Sequence, residues 1–173
     1  LLLAPLIGVV VGLLSVGFLY AIDYAQQLWL GVSGEFLASG LKEQPLWRRL
    51  IGPVAGGLTV GLLLMYFFPS QPRPPGIAQV IEASAIRGGA MDFMAGIKGA
   101  ILNALSIGAG ASVGREGPMV HLGATFGTAI AQLFRLERTP RRILLASAVA
   151  AAIAASFNAP LAGVFFCSRS GRW

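Results

Sequence analysis

The stretch Gly110-Ala-Ser-Val-Gly-Arg-Glu-Gly-Pro-Met-Val-His121 sets an arginine and a glutamate side by side, Arg115 and Glu116, between two apolar runs. Charge inside a membrane segment is expensive and usually functional. The first question is therefore whether the surrounding chain is embedded in a bilayer. Of its 173 residues, 55% are hydrophobic and only 12% charged, with a mean hydropathy of +0.74. A soluble domain carries about 25% charged residues. The 23 glycines agree: small residues let membrane helices approach closely, whereas in water each would weaken a helix by about 1 kcal/mol. The chain reads as an all-α, polytopic, multi-pass integral membrane protein.

A net charge of +6 and a pI near 10.5 raise the possibility of nucleic acid. The cations, however, are spread over short gaps between apolar runs, with no basic face and no interleaved aromatics. Arg and Lys at membrane boundaries, in contact with the lipid bilayer, account for them instead, and no nucleic-acid partner is expected. A single cysteine, Cys167, excludes an intrachain disulfide and any multi-thiol metal site. The first run, Leu1 to Ile22, lacks a basic start and a clear cleavage site, so it reads as a spanning helix rather than a signal peptide. Because the chain opens without methionine, its true N-terminus is expected upstream.

About 20 apolar residues cross a bilayer. On that measure residues 1–30 and 51–68 are spans, joined by a polar connection that carries Glu35, Lys42, Glu43, Arg48 and Arg49. Pro69 opens a proline-rich break. Residues 77–87 form a helix too short to span, ended by Gly88 and Gly89. Residues 91–110 and 117–134 are helices flanking the Arg115–Glu116 pair. A basic turn around Pro140 carries Arg135, Arg138, Arg141 and Arg142, and residues 143–168 form a helical pair interrupted at Asn158-Ala159-Pro160. Helices broken by Gly and Pro at membrane depth belong to transporters and channels, where protein or water covers the irregular backbone.

Gly114-Arg-Glu-Gly-Pro118 reads as a helix start, with Pro118 in the favoured first position. The backbone N–H groups there have no internal acceptor and carry an effective charge near +0.5. Gly114 and Gly117 leave that end bare, which makes a positive pocket sized for a small anion. Glu116 sits at its mouth. Its carboxylate can occupy the pocket, and protonation would release it, so one side chain serves as gate and proton carrier. The competing reading is a local Arg115–Glu116 ion pair, although adjacent helical residues do not face each other.

Gly108-Ala-Gly-Ala-Ser-Val-Gly-Arg-Glu-Gly-Pro118-Met-Val-His-Leu-Gly123 closely resembles the signature of the CLC family of voltage-gated chloride channels and proton/chloride exchangers (antiporters). Ser156-Phe-Asn-Ala-Pro-Leu-Ala-Gly163, Lys98 and Pro74-Pro-Gly-Ile77 resemble that family as well. The resemblance implies the first half of a CLC-type inverted-repeat fold with tilted and half-spanning helices, a gating and proton-transferring Glu116, and an anion site lined by Gly76, Ile77, Gly114, Arg115, Glu116, Gly117 and Pro118. It implies a bound anion such as chloride and no other cofactor, no metal, and a homodimer for the complete protein.

Three departures bear on function. Where the family usually has Gly-Ser-Gly-Ile-Pro, this chain has Pro74-Pro75-Gly76-Ile77-Ala78. Pro75 replaces a serine that would donate to the central anion, which opens nitrate as an alternative to chloride, with a plain helix-start role for the proline as the other reading. After the Asn-Ala-Pro segment the family usually carries glutamates, one of which relays protons. Here Cys167-Ser-Arg-Ser-Gly-Arg-Trp173 stands in their place, so a truncation or frame change after about Phe166 is expected, or else a channel-type replacement. The family's second half has no counterpart in these 173 residues.

His121 reads as a packed histidine, with proton relay as the sharper alternative. Lys98 either adds positive potential to an anion path or snorkels to an interface. Tyr20, Trp29 and Trp47 read as interface anchors. No nucleophile-and-base set, metal cluster or phosphate loop occurs, so enzymatic catalysis is not expected. Two functions stay open: anion transport as a channel or proton-coupled exchanger, and a membrane-embedded fragment with no transport of its own.

Overall fold

The computed structural model describes residues 3–32, 44–69 and 76–170, with side chains from residue 4 to residue 165. Expectations placed on Pro75, Glu35, Lys42 and Glu43, on the side chain of Cys167 and on residues 171–173 lie outside it. The described residues form seven α-helices and no strand: α1 Leu3–Leu30, α2 Leu46–Phe67, α3 Ile77–Ala85, α4 Phe93–Gly108, α5 Glu116–Leu133, α6 Arg138–Phe157 and α7 Pro160–Ser170.

Helices α1, α2 and α6 are long and apolar enough to cross a membrane. α4 is a shorter apolar helix. With 9 residues, α3 rises only about 13 Å, under half of a ~30 Å hydrocarbon core. Exposed apolar side chains recur along α1 at helical spacing: Leu6, Val9, Leu13, Val16, Tyr20 and Tyr24. In water such a stripe would aggregate, whereas in lipid it is the solvated side of the helix.

Two details differ from the sequence reading. The second span begins at Leu46, not at residue 51, because Pro45 caps it in extended backbone and Arg48 and Arg49 fall in its first turns. The basic turn around Pro140 is already helical. Glu137 is the N-cap, and Pro140 is the third helical residue, where its missing N–H leaves no bond broken.

The chain divides into two compact units. The first takes residues 1–16, 75–100 and 115–173; the second takes residues 17–74 and 101–114. In the first unit, α5 and α6 pack along a seam of small residues. A Cβ on Gly123 would lie 3.0 Å from Ala152 Cβ and 3.1 Å from the Ala148 carbonyl oxygen, and one on Gly127 would lie 2.5 Å from Ala148 Cβ. Glycine is what permits this approach. Ile7, Val11, Val80, Val120, Leu144 and Val149 fill the core around the seam. Asn158 ends α6 in the left-handed region at φ +50°, and Gly163 then lets α7 fold back against the Ala150 carbonyl, which a Cβ would meet at 2.5 Å.

In the second unit, Gly52 and Gly56 of α2 lie against Trp29 of α1, and Gly56 also meets Ala109. Gly108 packs on Ala25. The Arg48 guanidinium covers Gly31 (φ +71°), just past the end of α1, where a cation is favoured by the partial negative charge of a helix C-terminus.

Candidate functional site

The site is built from the starts of α3 and α5, both in the first unit. The backbone enters α5 through Ser112, Val113, Gly114 and Arg115, all exposed. Arg115 is the N-cap with φ −76° and ψ −17°, and no side chain caps the helix. Glu116 is its first residue and Pro118 its third, so Pro118 does not open the helix as its sequence preference suggested. The first helical bond runs from the Met119 N–H to the Arg115 carbonyl, 3.2 Å. Proline has no N–H, so the donors left without an intrahelical acceptor in this turn are the amides of Glu116 and Gly117.

Helix α3 starts in the same way. Its N-cap Gly76 is extended and offers no side-chain cap, and the Gln79 N–H turns back to the Gly76 carbonyl at 3.1 Å. The Ile77 side chain then reaches α5: its Cδ1 lies 3.6 Å from where a Cβ on Gly117 would stand. Two uncapped helix starts, each bearing a glycine, therefore meet at Ile77 and Gly117. Of the expected site residues, the structure brings together Ile77 and Gly117, with Gly76, Glu116 and Pro118 as their chain neighbours. Gly114 and Arg115 lie on the exposed approach.

Glu116 is half-buried at this meeting point. Arg115 and Glu116 do not form an ion pair; among the described residues the salt bridge is Arg87–Glu82 at 2.8 Å, on the surface. The local ion pair is therefore not formed, and the segment is a helix start.

Three interactions that fix α3 and α5 were not visible in the sequence. His121 is 3% exposed and shares a hydrogen bond with Gln79 of α3 at 3.3 Å. The packed reading of His121 holds, but its partner is 42 residues away and no local spacing shows it. Arg142 of α6 donates to the Ala85 carbonyl at the end of α3, 3.2 Å. Arg138 and Arg141 pack over Gly88 (φ +61°) and Gly89 (φ +81°), where the Gly89 N–H returns to the Ala83 carbonyl at 2.7 Å. The cluster read only as a membrane-boundary turn thus also caps α3. Finally, Ser156 donates to Met119 Sδ at 3.1 Å, tying the Asn-Ala-Pro corner to the first turns of α5. Lys98 is half-buried on α4. No cluster of metal-binding side chains occurs among the described residues.

The sequence model of a family described as "Voltage gated chloride channel" matches residues 56–168, from within α2 into α7. The chain belongs to this family. A protein named "Putative chloride channel protein ClcB-like" from Ralstonia nicotianae is 35% identical over 170 residues, covering 95% of this chain and 39% of that protein. The "Voltage-gated ClC-type chloride channel ClcB" of Escherichia coli O81 is 34% identical over 170 residues, covering 96% of this chain and 40% of that protein. The chain therefore spans about two-fifths of the length of the curated relatives it matches. Its all-helical fold, with three candidate spans and a further short apolar helix, is that of a multi-pass integral membrane protein of the family.

Proposed function

We propose that this chain supplies one half of a transmembrane anion pathway, with the amides of Glu116 and Gly117 and the start of α3 at Gly76–Ile77 as anion donors and Glu116 as gate. The reading is carried by the approach of Ile77 to Gly117: two positive, uncapped helix ends at one place favour a small anion more than either alone. Family membership supports chloride or a chemically similar ion as the substrate. Protonation of Glu116 would remove a competing carboxylate and admit the anion, which gives a route to proton coupling. Pro75 offers neither hydroxyl nor amide to a central anion, which favours nitrate being accepted alongside chloride. Chloride or nitrate flux needs no cofactor and no covalent step. The complete protein acts as a homodimer in the bilayer.

Reconstitution of the complete protein in liposomes tests this. Glu116→Gln should keep anion efflux and lose linked proton movement, and intact proton coupling in that variant would overturn the gate assignment. A second reading, that these 173 residues alone carry no transport, is favoured by their covering two-fifths of their relatives. Vesicles holding only this chain separate the two, since efflux above protein-free vesicles excludes the second.

A further inference from the structure

The second unit holds two contiguous hollows along α2. One, of about 430 Å³, is lined by Gln26, Leu30, Arg49, Pro53 and the Ile107–Ala111 turn region. The other, of about 420 Å³, is lined by Gly57, Val60, Gly61 and Leu64, and by Ser106 of α4. They share Pro53, Gly110 and Ala111, so they form one groove with two unlike ends. Among the described residues, Arg49 is the charged residue of the lining and no acidic residue lines either hollow. Beside it lies Gln26, 8% exposed, whose buried side-chain oxygen has no hydrogen-bond partner among the described residues. The other end is floored by Gly57 and Gly61, at which an added Cβ would meet nothing within 4 Å.

We propose that this groove binds an anionic phospholipid with a hydroxylated headgroup, of the phosphatidylglycerol type. The phosphate sits toward Arg49, a headgroup hydroxyl donates to Gln26 Oε1, and an acyl chain lies along Gly57 to Leu64. Length agrees with this assignment: from Pro53 to Leu64, α2 rises about 16 Å, close to half of a ~30 Å hydrocarbon core and hence to one leaflet. Depth agrees as well. Trp47 is 61% exposed at the start of α2, and indole rings favour the headgroup level, which puts Arg49 at the height of lipid phosphates. An apolar chain could be supplied by any lipid, but the buried acceptor and the cation together select a headgroup that carries both a negative charge and a donor.

Native mass spectrometry of the complete protein purified in detergent, titrated with phosphatidylglycerol or phosphatidylcholine of the same acyl chains, tests the site. Phosphatidylglycerol should remain bound at higher collision energy and bind more tightly. Arg49→Gln should weaken it about fivefold, the contribution of one basic residue near an anionic lipid surface. The Cβ of Gly57→Leu meets nothing within 4 Å, so the variant should leave helical circular dichroism unchanged and, by filling the floor, displace both lipids. Equal binding of the two lipids overturns the proposal. So does unchanged phosphatidylglycerol binding in Gly57→Leu, and so does efficient disulfide formation between two copies of a Gly61→Cys chain in phosphatidylglycerol bilayers, which would make the groove a protein interface.

Discussion

Replacing Gln79 with alanine, alone and together with His121→Ala, isolates the tie that holds α3 against α5. The His121–Gln79 hydrogen bond is 3.3 Å long, at the weak end of the useful range, so its own net contribution is about 0.5–1 kcal/mol. The two ends differ in their alternatives. His121 is 3% exposed, so losing Gln79 strands a buried polar ring, whereas Gln79 is only half-buried and can turn to another partner. Gln79→Ala should therefore destabilise the protein by about 1–3 kcal/mol, the usual penalty for an orphaned buried group. His121→Ala should cost about 2–4 kcal/mol, mostly through the cavity it leaves. In the His121→Ala background no ring remains to be stranded, and Gln79→Ala should then cost about 0.5 kcal/mol or less. Reversible unfolding in mixed detergent micelles, followed by tryptophan fluorescence, measures all four corners of the cycle. A coupling of about 1–2 kcal/mol is expected. If Gln79→Ala costs the same in both backgrounds, the pair does not hold the two helices together and its place in the site is lost.

Three further outcomes follow from local geometry. Gly127→Ala puts a methyl 2.5 Å from Ala148 Cβ and 3.2 Å from the Leu144 carbonyl oxygen, so unfolding should show a loss of about 1–3 kcal/mol from overpacking; Gly8→Ala, with nothing within 4 Å, should be neutral or stabilising in the same assay. Asn158 holds φ +50° at the end of α6, so Asn158→Ala should lower stability by about 1 kcal/mol while Asn158→Gly matches or exceeds the parent. Asp92 Oδ1 accepts from the Met94 N–H at 3.0 Å and the Ala95 N–H at 3.4 Å; Asp92→Ala should cost about 1 kcal/mol and Asp92→Ser should recover most of it, read by thermal unfolding in detergent.

What the sequence reveals of this fold depends on whether the cause is local. Apolar runs long enough to span, glycines and prolines that stop helices, and the Gly-Arg-Glu-Gly-Pro start all act within one or two turns, and the all-helical membrane class was legible from them. Helix starts were harder. Pro118 suits the first position by intrinsic preference, yet the chain begins α5 two residues earlier at Glu116, because proline is tolerated throughout a first turn that makes no use of its N–H. The polar residues between runs were read by a general rule, basic groups at membrane boundaries, and the rule conceals particular contacts: Arg142 on the end of α3, Arg48 over Gly31. Asp92 falls inside the helix expected over residues 91–110, whereas it stands just before α4 and accepts from the Met94 and Ala95 amides. The Gln79–His121 pair had no readable signal, since neither residue type nor spacing singles out a partner 42 positions away.

The glycine content and the proposed anion site have one physical cause. Amides can stabilise an ion only if they do not move when it arrives. In lipid no hydrophobic force presses helices together, so rigidity must come from close van der Waals contact and satisfied polar groups. α5 has 11 buried residues among its 18, and its contacts with α6 are made where Gly123 and Gly127 remove side chains altogether. α3 is too short to be held by length, and it is fastened at both ends instead: Ile77 on Gly117 and Gln79 on His121 near its start, Arg142 on Ala85 at its finish. On the proposed reading, the first turn of α5 is left uncapped because an anion or the Glu116 carboxylate is to fill it, and the seam behind it is packed tightly so that the uncapped turn keeps its shape. Enlarging a seam glycine should therefore disturb anion affinity as well as stability, although no seam residue touches the ion.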